Sequence, residues 1–246
     1  MTLQSLSDGY RAVVFGASGG LGSAFVSALC QDDRCAEVHA GSRSDVHSSA
    51  NKLRAFRFDL EDEGSIAAAV AESSRAGPLH LVVVATGMLH APSITPEKSW
   101  RFLTPASLQR AFSINAIGPA LIAKHSLGHL ATNEKAVFVA LSARVGSITD
   151  NRRGGWHAYR ASKSALNMLI RTLAIELAAR NKAAICVGLH PGTVGTELSK
   201  PFLGGSDPLQ VFAPSQSADH LLRVIDHLSP TQSGRLFAWD GSEIPF

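Results

Sequence analysis

The stretch that decides the fold is Ala12-Val13-Val14-Phe15-Gly16-Ala17-Ser18-Gly19-Gly20-Leu21-Gly22. Its apolar first part predicts a strand, and the helical pattern of residues 20–30 continues from its glycine-rich second part. This strand-turn-helix order is the context in which a glycine-rich turn binds the pyrophosphate of a dinucleotide, on the free N–H groups of the helix start. Gly16 and Gly20 let the backbone turn tightly, and Gly22 lets the helix pack close to the strand. A plain turn between strand and helix is the alternative interpretation of the glycines alone.

Short apolar segments and helical patterns alternate along the rest of the chain. Apolar runs of this length suit strands that are buried on both faces of a parallel sheet. They predict strands at residues 12–15, 37–40, 55–58, 79–85, 136–141, 183–189 and 236–239. Helical patterns cover residues 20–30, 61–76, 107–130, 159–180 and 215–228. The alternation predicts an α/β fold with a doubly wound parallel sheet of about seven strands flanked by helices.

Length and composition indicate one folded domain. With 246 residues, of which 45% are hydrophobic, the chain can bury a sizeable core, and residues 1–246 are predicted to form a single domain. The most irregular segment, residues 191–214, holds four prolines and four glycines. Because it follows the carboxyl end of a predicted strand, we expect it to be a substrate loop. Trp156, Phe202, Leu203, Leu209 and Phe212 suggest that the substrate pocket is apolar.

Charge, cysteines and hydropathy exclude several classes. The formal net charge of +3 comes from 23 basic and 20 acidic residues without a long basic run, which argues against nucleic acid and membrane surfaces as partners. The three cysteines, Cys30, Cys35 and Cys186, lack metal-site spacing, so we expect reduced thiols and no metal. No signal-peptide pattern opens the sequence, and no apolar run approaches the roughly 20 residues of a membrane span. The sequence therefore predicts a cytoplasmic protein.

The residues after the second predicted strand indicate which dinucleotide is bound. An acidic residue at this place holds the ribose 2′-hydroxyl, whereas an arginine accommodates a 2′-phosphate. Arg43 can pair with a phosphate through two hydrogen bonds, and Ser42 adds a hydroxyl donor. Asp45 lies nearby and favours the opposite choice, and a solvated surface arginine is the further alternative. The sequence favours NADP(H) over NAD(H).

Tyr159 and Lys163 stand four residues apart at the start of a helical segment, so both side chains project from one face. A free tyrosine has a pKa of about 10 and is a poor acid or base at neutral pH. The Lys163 ammonium beside Tyr159 is predicted to lower that pKa. The pair therefore predicts a proton-transfer group, with an ordinary amphipathic pair as the alternative.

The two motifs together resemble those of the short-chain dehydrogenase/reductase family. The chain has the family's G-x-x-x-G-x-G spacing from Gly16 to Gly22 and its Tyr-x-x-x-Lys pair, and the resemblance covers almost the whole sequence. Residues 150–156 look like the C-factor/sniffer-like carbonyl reductase branch. The resemblance implies a Rossmann fold, an NAD(P)-dependent oxidoreductase, and a homodimer or homotetramer formed through the helices at residues 107–130 and 159–180.

The resemblance also implies roles for four catalytic residues, Tyr159, Lys163, Asn115 and Ser142. Tyr159 would donate the proton, Lys163 would lower its pKa and bind the nicotinamide ribose, and Asn115 would support a proton relay through a water linked to the lysine. A helix kink near Gly118-Pro119 is the structural alternative for the asparagine segment.

The serine that polarises the substrate carbonyl is the least regular member of this set. In the family it is commonly the second of two adjacent serines, and a gapless match puts Ala143 at that position. Ser142 is predicted to fill the role if the strand end shifts by one residue, because a strand-end residue is held more precisely than a loop residue. Ser147 is the alternative.

The cofactor contacts follow from the same resemblance. Asp59 resembles the aspartate that contacts the adenine, although it could equally cap the next helix. Thr196 by its side chain and Val194 by its backbone are expected to bind the carboxamide, with a plain Pro-Gly turn as the alternative. The predicted cofactor-binding residues are Gly16, Ser18, Gly19, Gly20, Leu21, Gly22, Ser42, Arg43, Asp59, Leu60, Ala85, Thr86, Gly87, Tyr159, Lys163, Pro191, Gly192, Val194 and Thr196.

These residues predict an NADPH-dependent reductase that converts a ketone or aldehyde to an alcohol. Ala143 at the usual serine position supports a second hypothesis, a regulatory or signalling protein that binds the dinucleotide without required turnover. A third hypothesis keeps the fold and changes the chemistry to epimerisation or dehydration, but the chain has little room for a separate substrate domain.

Overall fold

The computed structural model describes residues 2–44, 46, 50–92, 94–203 and 211–246. Eight strands form one sheet in the order β10-β9-β6-β5-β4-β1-β2-β3, and a separate two-stranded sheet pairs β7 with β8. All neighbours in the large sheet are parallel except β9 and β10. The strands are β1 Tyr10–Phe15, β2 Cys35–Ser42, β3 Leu53–Arg57, β4 Leu81–Val84, β5 Ala136–Leu141, β6 Ala184–His190, β7 Thr193–Val194, β8 Val211–Phe212, β9 Leu236–Ala238 and β10 Glu243–Ile244. The predicted α/β fold with a doubly wound sheet is confirmed.

Six α-helices cover the two faces of the sheet in the described part of the chain. They are α1 Gly20–Gln31, α2 Glu63–Ser74, α3 Pro105–Phe112, α4 Gly118–Ser126, α5 His157–Arg180 and α6 Pro214–His227. Side chains alternate across β1, so that Val14 packs in the core under α1 and α6 while Val13 packs in the core under α2, α4 and α5. This alternation is why uninterrupted apolar runs were needed in the central strands.

The strand order reverses between β1 and β4. The chain builds outward from β1 through β2 to β3, then returns to place β4 on the other side of β1 and continues to β5 and β6. In sheets of this kind ligands bind beyond the carboxyl ends of the strands at such a reversal. The glycine-rich turn after β1 and residues 85–87 after β4 meet there.

Three details of the sequence prediction are corrected. The sheet has eight strands instead of about seven, because the two-residue β10 pairs antiparallel with β9 at its edge. The predicted helix at residues 107–130 is interrupted by a π turn over Ser113–Ile117. Residues 193–194 and 211–212 of the predicted irregular loop pair as strands, whereas residues 204–210 of that loop lie outside the described residues.

Asp59 does not have one of the two roles predicted for it, that of capping α2. The carboxylate of Asp62 accepts hydrogen bonds from the N–H groups of Gly64 and Ser65, at 2.9 and 3.3 Å, and caps the helix. Asp59 therefore does not cap α2, and its side chain is exposed.

Among the described residues, no helix has the length and apolar character needed to cross a membrane.

Candidate active site

A cavity of about 1130 Å³ opens at the carboxyl edge of the sheet, over the reversal in strand order. It brings together elements that are far apart in sequence: the turn after β1, the residues after β4 and β5, the start of α5 and the loop after β6. The predicted site residues that line it are Ser18, Gly19, Gly20, Leu21, Ala85, Thr86, Gly87, Ser142, Tyr159, Lys163, Pro191, Gly192, Val194 and Thr196. Gly16, Gly22, Ser42, Arg43, Asp59, Leu60 and Asn115 lie behind the cavity wall or beyond its margin.

The glycine-rich turn is sterically closed to side chains at two positions. Gly16 has a φ of +89°, and a Cβ on it would lie 3.0 Å from the backbone of Ala85 and Thr86. A Cβ on Gly22 would overlap the carbonyl oxygen of Gly16. The turn can therefore fold back between β1 and α1 only with glycine at both places, which is what the sequence predicts.

The residues around the turn fit a dinucleotide. No side chain of the described residues caps the start of α1, and its first turn carries no acidic residue, so this helix end can receive phosphate oxygens. Directly beside the turn, Thr86 Oγ1 is buried and has no hydrogen-bond partner within the described part of the chain. A buried hydroxyl without a partner is costly, and a bound polar group would satisfy it.

The margin of the cavity next to β2 carries a cluster of hydroxyl groups. Ser42 Oγ donates to Ser18 Oγ at 2.6 Å and lies 3.3 Å from Ser44 Oγ. Arg43, between the two serines, is exposed. Hydroxyls and a guanidinium at one place are the donors that a phosphate requires. Asp45, which would favour the unphosphorylated ribose, lies outside the described residues.

Asp59 and Leu60 lie after β3, on the adenine side of the predicted site. Asp59 keeps its carboxylate near the backbone, where Oδ1 accepts from the N–H of Glu61 at 3.0 Å. Leu60 is 7% exposed, and its side chain packs so closely on Gly118 that a Cβ there would overlap it. Leu60 can therefore hydrogen-bond to a ligand only through its backbone groups.

Tyr159 and Lys163 project from the first turns of α5 toward the cavity. Lys163 is 3% exposed, and its Nζ donates to the carbonyl oxygen of Leu141, the last residue of β5, at 2.7 Å. The Lys163 Nζ lies 5.9 Å from the centre of the Tyr159 ring. The predicted placement of both side chains on one face of a helix is what the structure has.

Burial dominates the electrostatics of this pair. Burial raises the pKa of Tyr159 to about 12, because the phenolate would lose its hydration. Burial lowers the pKa of Lys163 to about 8 for the same reason. Desolvation is thus the cause of the raised pKa of Tyr159, and the lowering of this pKa by the Lys163 ammonium stays a prediction.

Asn115 lies in the π turn between α3 and α4 and is fully buried. Its side chain accepts from the N–H of Met88 and donates to the carbonyl oxygen of Met88, both at 2.8 Å, and it also donates to Ser162 Oγ at 3.0 Å. Pro119 has no N–H with which to continue the α-helical pattern onto the Asn115 carbonyl, and the helix widens at this point. The kink predicted near Gly118-Pro119 and the asparagine site are thus one feature.

Asn115 and Lys163 converge on Gly87, the third residue after β4. A Cβ built on Gly87 would lie 3.7 Å from Asn115 Oδ1 and 3.8 Å from Lys163 Nζ. This convergence joins the turn after β4, the π turn and α5, three elements that the sequence could place only separately.

The two candidate serines have different surroundings. Ser142 lines the cavity, but it is 4% exposed and its Oγ donates to Asn167 Oδ1 of α5 at 2.7 Å. Ser147 is 1% exposed and its Oγ accepts from the N–H of Asp150 at 3.1 Å, outside the cavity lining. Ala143 also lines the cavity, at the position where the family commonly has serine.

The loop after β6 folds back over the glycine-rich turn. Gly192 has a φ of +78°, and the carbonyl oxygen of Pro191 accepts from Ser217 Oγ of α6 at 2.8 Å. Thr196 lies against Gly20, where a Cβ would be 2.8 Å from Thr196 Cγ2. Val194 is 4% exposed in β7. The predicted nicotinamide end is therefore in contact with the predicted pyrophosphate end.

Aromatic side chains form one wall of the cavity. The Trp156 ring meets the Phe202 ring at 5.3 Å and the Tyr159 ring at 6.3 Å, both edge to face. Leu203 also lines the cavity, whereas Phe212 packs against Trp239 at 4.7 Å and does not. Leu209 lies outside the described residues.

His190 belongs to the site, although the sequence analysis does not single it out. It ends β6 and lines the cavity, and burial lowers its pKa to about 4, so the imidazole is neutral. Its Nδ1 is buried and has no partner among the described residues. Its position immediately before Pro191-Gly192 was the signal that could have identified it.

Known proteins share sequence and fold with this chain. Residues 11–204 match the family described as short chain dehydrogenase. The chain is 38% identical to the C-signal protein of Myxococcus xanthus over 141 residues, which are 57% of this chain and 80% of that protein. Two solved structures superpose on nearly the full chain. NADPH-bound carbonyl reductase from chicken fatty liver has a TM-score of 0.83 at 24% identity, covering 99% of this chain and 96% of its own. The carbonyl reductase Sniffer of D. melanogaster has a TM-score of 0.82 at 23% identity, covering 97% and 99%.

Proposed function

The chain belongs to the short-chain dehydrogenase family, and on that premise we propose that it is an NADPH-dependent reductase of a ketone or aldehyde. The observation that carries the proposal is the convergence of Tyr159, Lys163 and the glycine-rich turn on one cavity. When bound, the dinucleotide supplies the hydride. Tyr159 donates its phenolic proton to the carbonyl oxygen, and the Lys163 ammonium binds the nicotinamide ribose and stabilises the phenolate that remains. The Asn115 segment supports the return of a proton to this pair.

The proposed substrate role of Ser142 requires a change in its hydrogen bond. A carbonyl oxygen accepts, and Ser142 Oγ already gives its proton to Asn167 Oδ1. Ser142 polarises the substrate after its hydroxyl has turned from Asn167 toward the cavity. The substrate carries an apolar or aromatic group, which packs on the wall formed by Trp156 and Phe202, beside the described part of the loop after β6.

The proposed preference for NADPH rests on Arg43 and the serine cluster around Ser42. We expect Arg43→Ala to weaken NADPH binding by about 10- to 100-fold, because a hydrogen bond to a charged group contributes about 1.5–3 kcal/mol. NADH binding should stay unchanged, since NADH lacks the 2′-phosphate. Fluorescence titration with both dinucleotides measures the two affinities. Arg75→Ala is the control, because Arg75 is also exposed but pairs with Glu72 on α2, away from the site. NADPH preference that survives Arg43→Ala would contradict the assignment.

The pH dependence should follow Lys163. Its pKa is lowered to about 8 by burial, and the ammonium form is the one that binds the ribose. We expect kcat/KM for NADPH to be level below about pH 7 and to fall as the pH rises through 8, because deprotonation removes the ammonium. The phenol of Tyr159, with a pKa of about 12, stays protonated across this range. Residual activity of Lys163→Arg should lack the decline, since arginine keeps its charge. A decline that is unchanged in Lys163→Arg would assign it to another group.

A second candidate function is a dinucleotide-binding signalling protein with little required turnover. The similarity to the C-signal protein and the presence of Ala143 at the usual serine position favour it. NADPH oxidation measured against a panel of carbonyl compounds separates the two functions, because turnover that depends on Tyr159 would rule out the binding-only function.

The proposed assembly is a homodimer or homotetramer formed through α4 and α5 with the π turn between α3 and α4. Ile117, Met168 and Ile175 on these elements are 53%, 67% and 59% exposed, which is unusual for large apolar side chains on neighbouring helices.

A further inference from the structure

The start of the helix that carries Tyr159 has an unusual backbone. Gly154, Gly155 and Trp156 have φ values of +62°, +67° and +53°, so three successive residues are left-handed. Trp156 is one of two non-glycine residues with positive φ in the described chain. It is also the N-cap of α5, and no side chain at the cap position bonds the helix start. A conformation that L side chains rarely adopt persists only where surrounding contacts impose it.

Glu97 supplies those contacts from the segment between β4 and α3. Its carbonyl oxygen accepts from the N–H of Trp156 at 2.6 Å. Its carboxylate accepts from the N–H of Ala158, in the first turn of α5, at 3.1 Å. The other carboxylate oxygen accepts from Ser107 Oγ of α3 at 2.9 Å. One residue therefore bonds both sides of the helix start and ties it to α3.

The position of this carboxylate is suited to holding a helix end. Glu97 is only 5% exposed, and a buried carboxylate needs partners for both oxygens, which Ala158 and Ser107 provide. Negative charge at a helix N-terminus is favourable, because the unpaired N–H groups there carry partial positive charge. Glu97 thus replaces the missing N-cap side chain.

The contacts of Glu97 lead directly to Tyr159. Ala158, which the carboxylate holds, precedes Tyr159 in the chain, and Trp156, which the carbonyl holds, packs its ring on the Tyr159 ring at 6.3 Å. Glu97, Ala158 and Tyr159 also border the same small void of about 10 Å³. A shift of the carboxylate would move the first turn of α5 and the tyrosine with it.

We propose that Glu97 is a positioning residue for Tyr159, holding the left-handed turn at residues 154–156 and the first turn of α5 so that the phenol points at the substrate carbonyl. The inference rests on the proposed function, because it assumes that Tyr159 donates a proton. Glu97 does not touch the substrate or the dinucleotide. Its effect is expected in kcat and not in dinucleotide affinity.

The test compares three substitutions by kcat, NADPH affinity and melting temperature. Glu97→Gln keeps the reach and an acceptor oxygen for the Ala158 N–H, so it should retain kcat within about fivefold of wild type. Glu97→Asp keeps the charge but withdraws the carboxylate by one methylene, and Glu97→Ala removes the acceptor. We expect kcat to fall by about 10-fold and about 100-fold, because a misplacement of about 1 Å costs that much in an oriented reaction. NADPH affinity should stay within about twofold in all three, since α1 bears the phosphates and Lys163, which binds the ribose, lies beyond the first turn of α5.

Asp32→Ala is the matched control for loss of a buried carboxylate. Asp32 is 1% exposed and accepts from the Leu3 N–H at 2.8 Å and from the Tyr10 hydroxyl at 2.9 Å, at the amino edge of the sheet. The Asp32→Ala variant should have a lower melting temperature, as Glu97→Ala should, but an unchanged kcat.

Two outcomes would overturn the positioning role. One is a kcat of Glu97→Asp equal to wild type, and the other is a kcat that falls further in Glu97→Gln than in Glu97→Asp, which would make charge and not reach the decisive property. Glu97→Gln and Glu97→Asp keep the question answerable if Glu97→Ala does not fold. Tyr159→Phe separates the failure of the underlying function. If turnover survives that substitution, the proposed reductase mechanism fails; if it is lost while Glu97→Asp is fully active, only the positioning role fails.

Discussion

Tyr159→Phe should lower kcat for carbonyl reduction by about 1,000-fold, because it removes the general acid, while leaving NADPH affinity within about twofold, because Lys163 and the glycine-rich turn still bind the dinucleotide. The phenyl ring keeps its edge-to-face contact with Trp156, so the cavity wall is preserved. Burial, which raises the pKa of Tyr159 to about 12, keeps the phenol protonated and ready to donate at neutral pH. The rate of NADPH oxidation with a saturating ketone measures the loss.

The chain offers a matched control, because it contains only two tyrosines. Tyr10 is fully buried, and its hydroxyl donates to Asp32 at 2.9 Å, at the opposite edge of the sheet. Tyr10→Phe should therefore cost about 1 kcal/mol of stability and leave kcat unchanged. A Tyr159→Phe variant that keeps more than about a tenth of wild-type kcat would refute the assignment of Tyr159 as the acid.

The strands were predictable because burial on both faces leaves a strong signal in the sequence. The apolar run at residues 136–141 coincides with β5, and the other predicted strands of the large sheet overlap the observed ones. The strands β7, β8 and β10 could not be predicted, because two residues carry no recognisable period. The π turn at Ser113–Ile117 was hidden for a related reason. One extra residue in a turn hardly changes a helical pattern of apolar residues.

The candidate site was predictable where a residue type is required by backbone geometry. Gly16 and Gly22 are read from the sequence because no other residue fits a positive φ or a closed contact there. The hydrogen bond from Ser142 to Asn167 was not predictable, because the direction of a strand-end side chain depends on the helix packed above it. The raised pKa of Tyr159 was not predictable for a similar reason, since the degree of burial is a property of the fold. Glu97 gave no signal at all, because it meets α5 only through the tertiary structure.

Gly22→Ala should raise the dissociation constant for NADPH by at least about 100-fold, because displacing the turn removes charge-assisted hydrogen bonds of about 1.5–3 kcal/mol each. Besides its overlap with the Gly16 carbonyl oxygen, the added Cβ would lie 2.8 Å from the Gly16 carbonyl carbon and 3.1 Å from Ala17 Cα. These are backbone atoms, which cannot turn aside as a flexible side chain can. The only relief is a shift of α1 away from β1 or of the turn itself, and both move the N–H groups that receive the pyrophosphate.

The stability of the same variant isolates the steric cause. Alanine is favoured over glycine in a helix by about 1 kcal/mol, whereas overpacking costs about 1–3 kcal/mol, so the clash should dominate and the melting temperature should fall. Gly128→Ala is the control, because a Cβ there would meet no atom within 4 Å. Gly128 lies in the short 3₁₀ turn Leu127–His129, where the same substitution makes no clash, so it should keep both the melting temperature and the NADPH affinity. Equal NADPH affinities in Gly22→Ala and Gly128→Ala would mean that the turn after β1 does not bind the pyrophosphate, since only one of the two substitutions disturbs it.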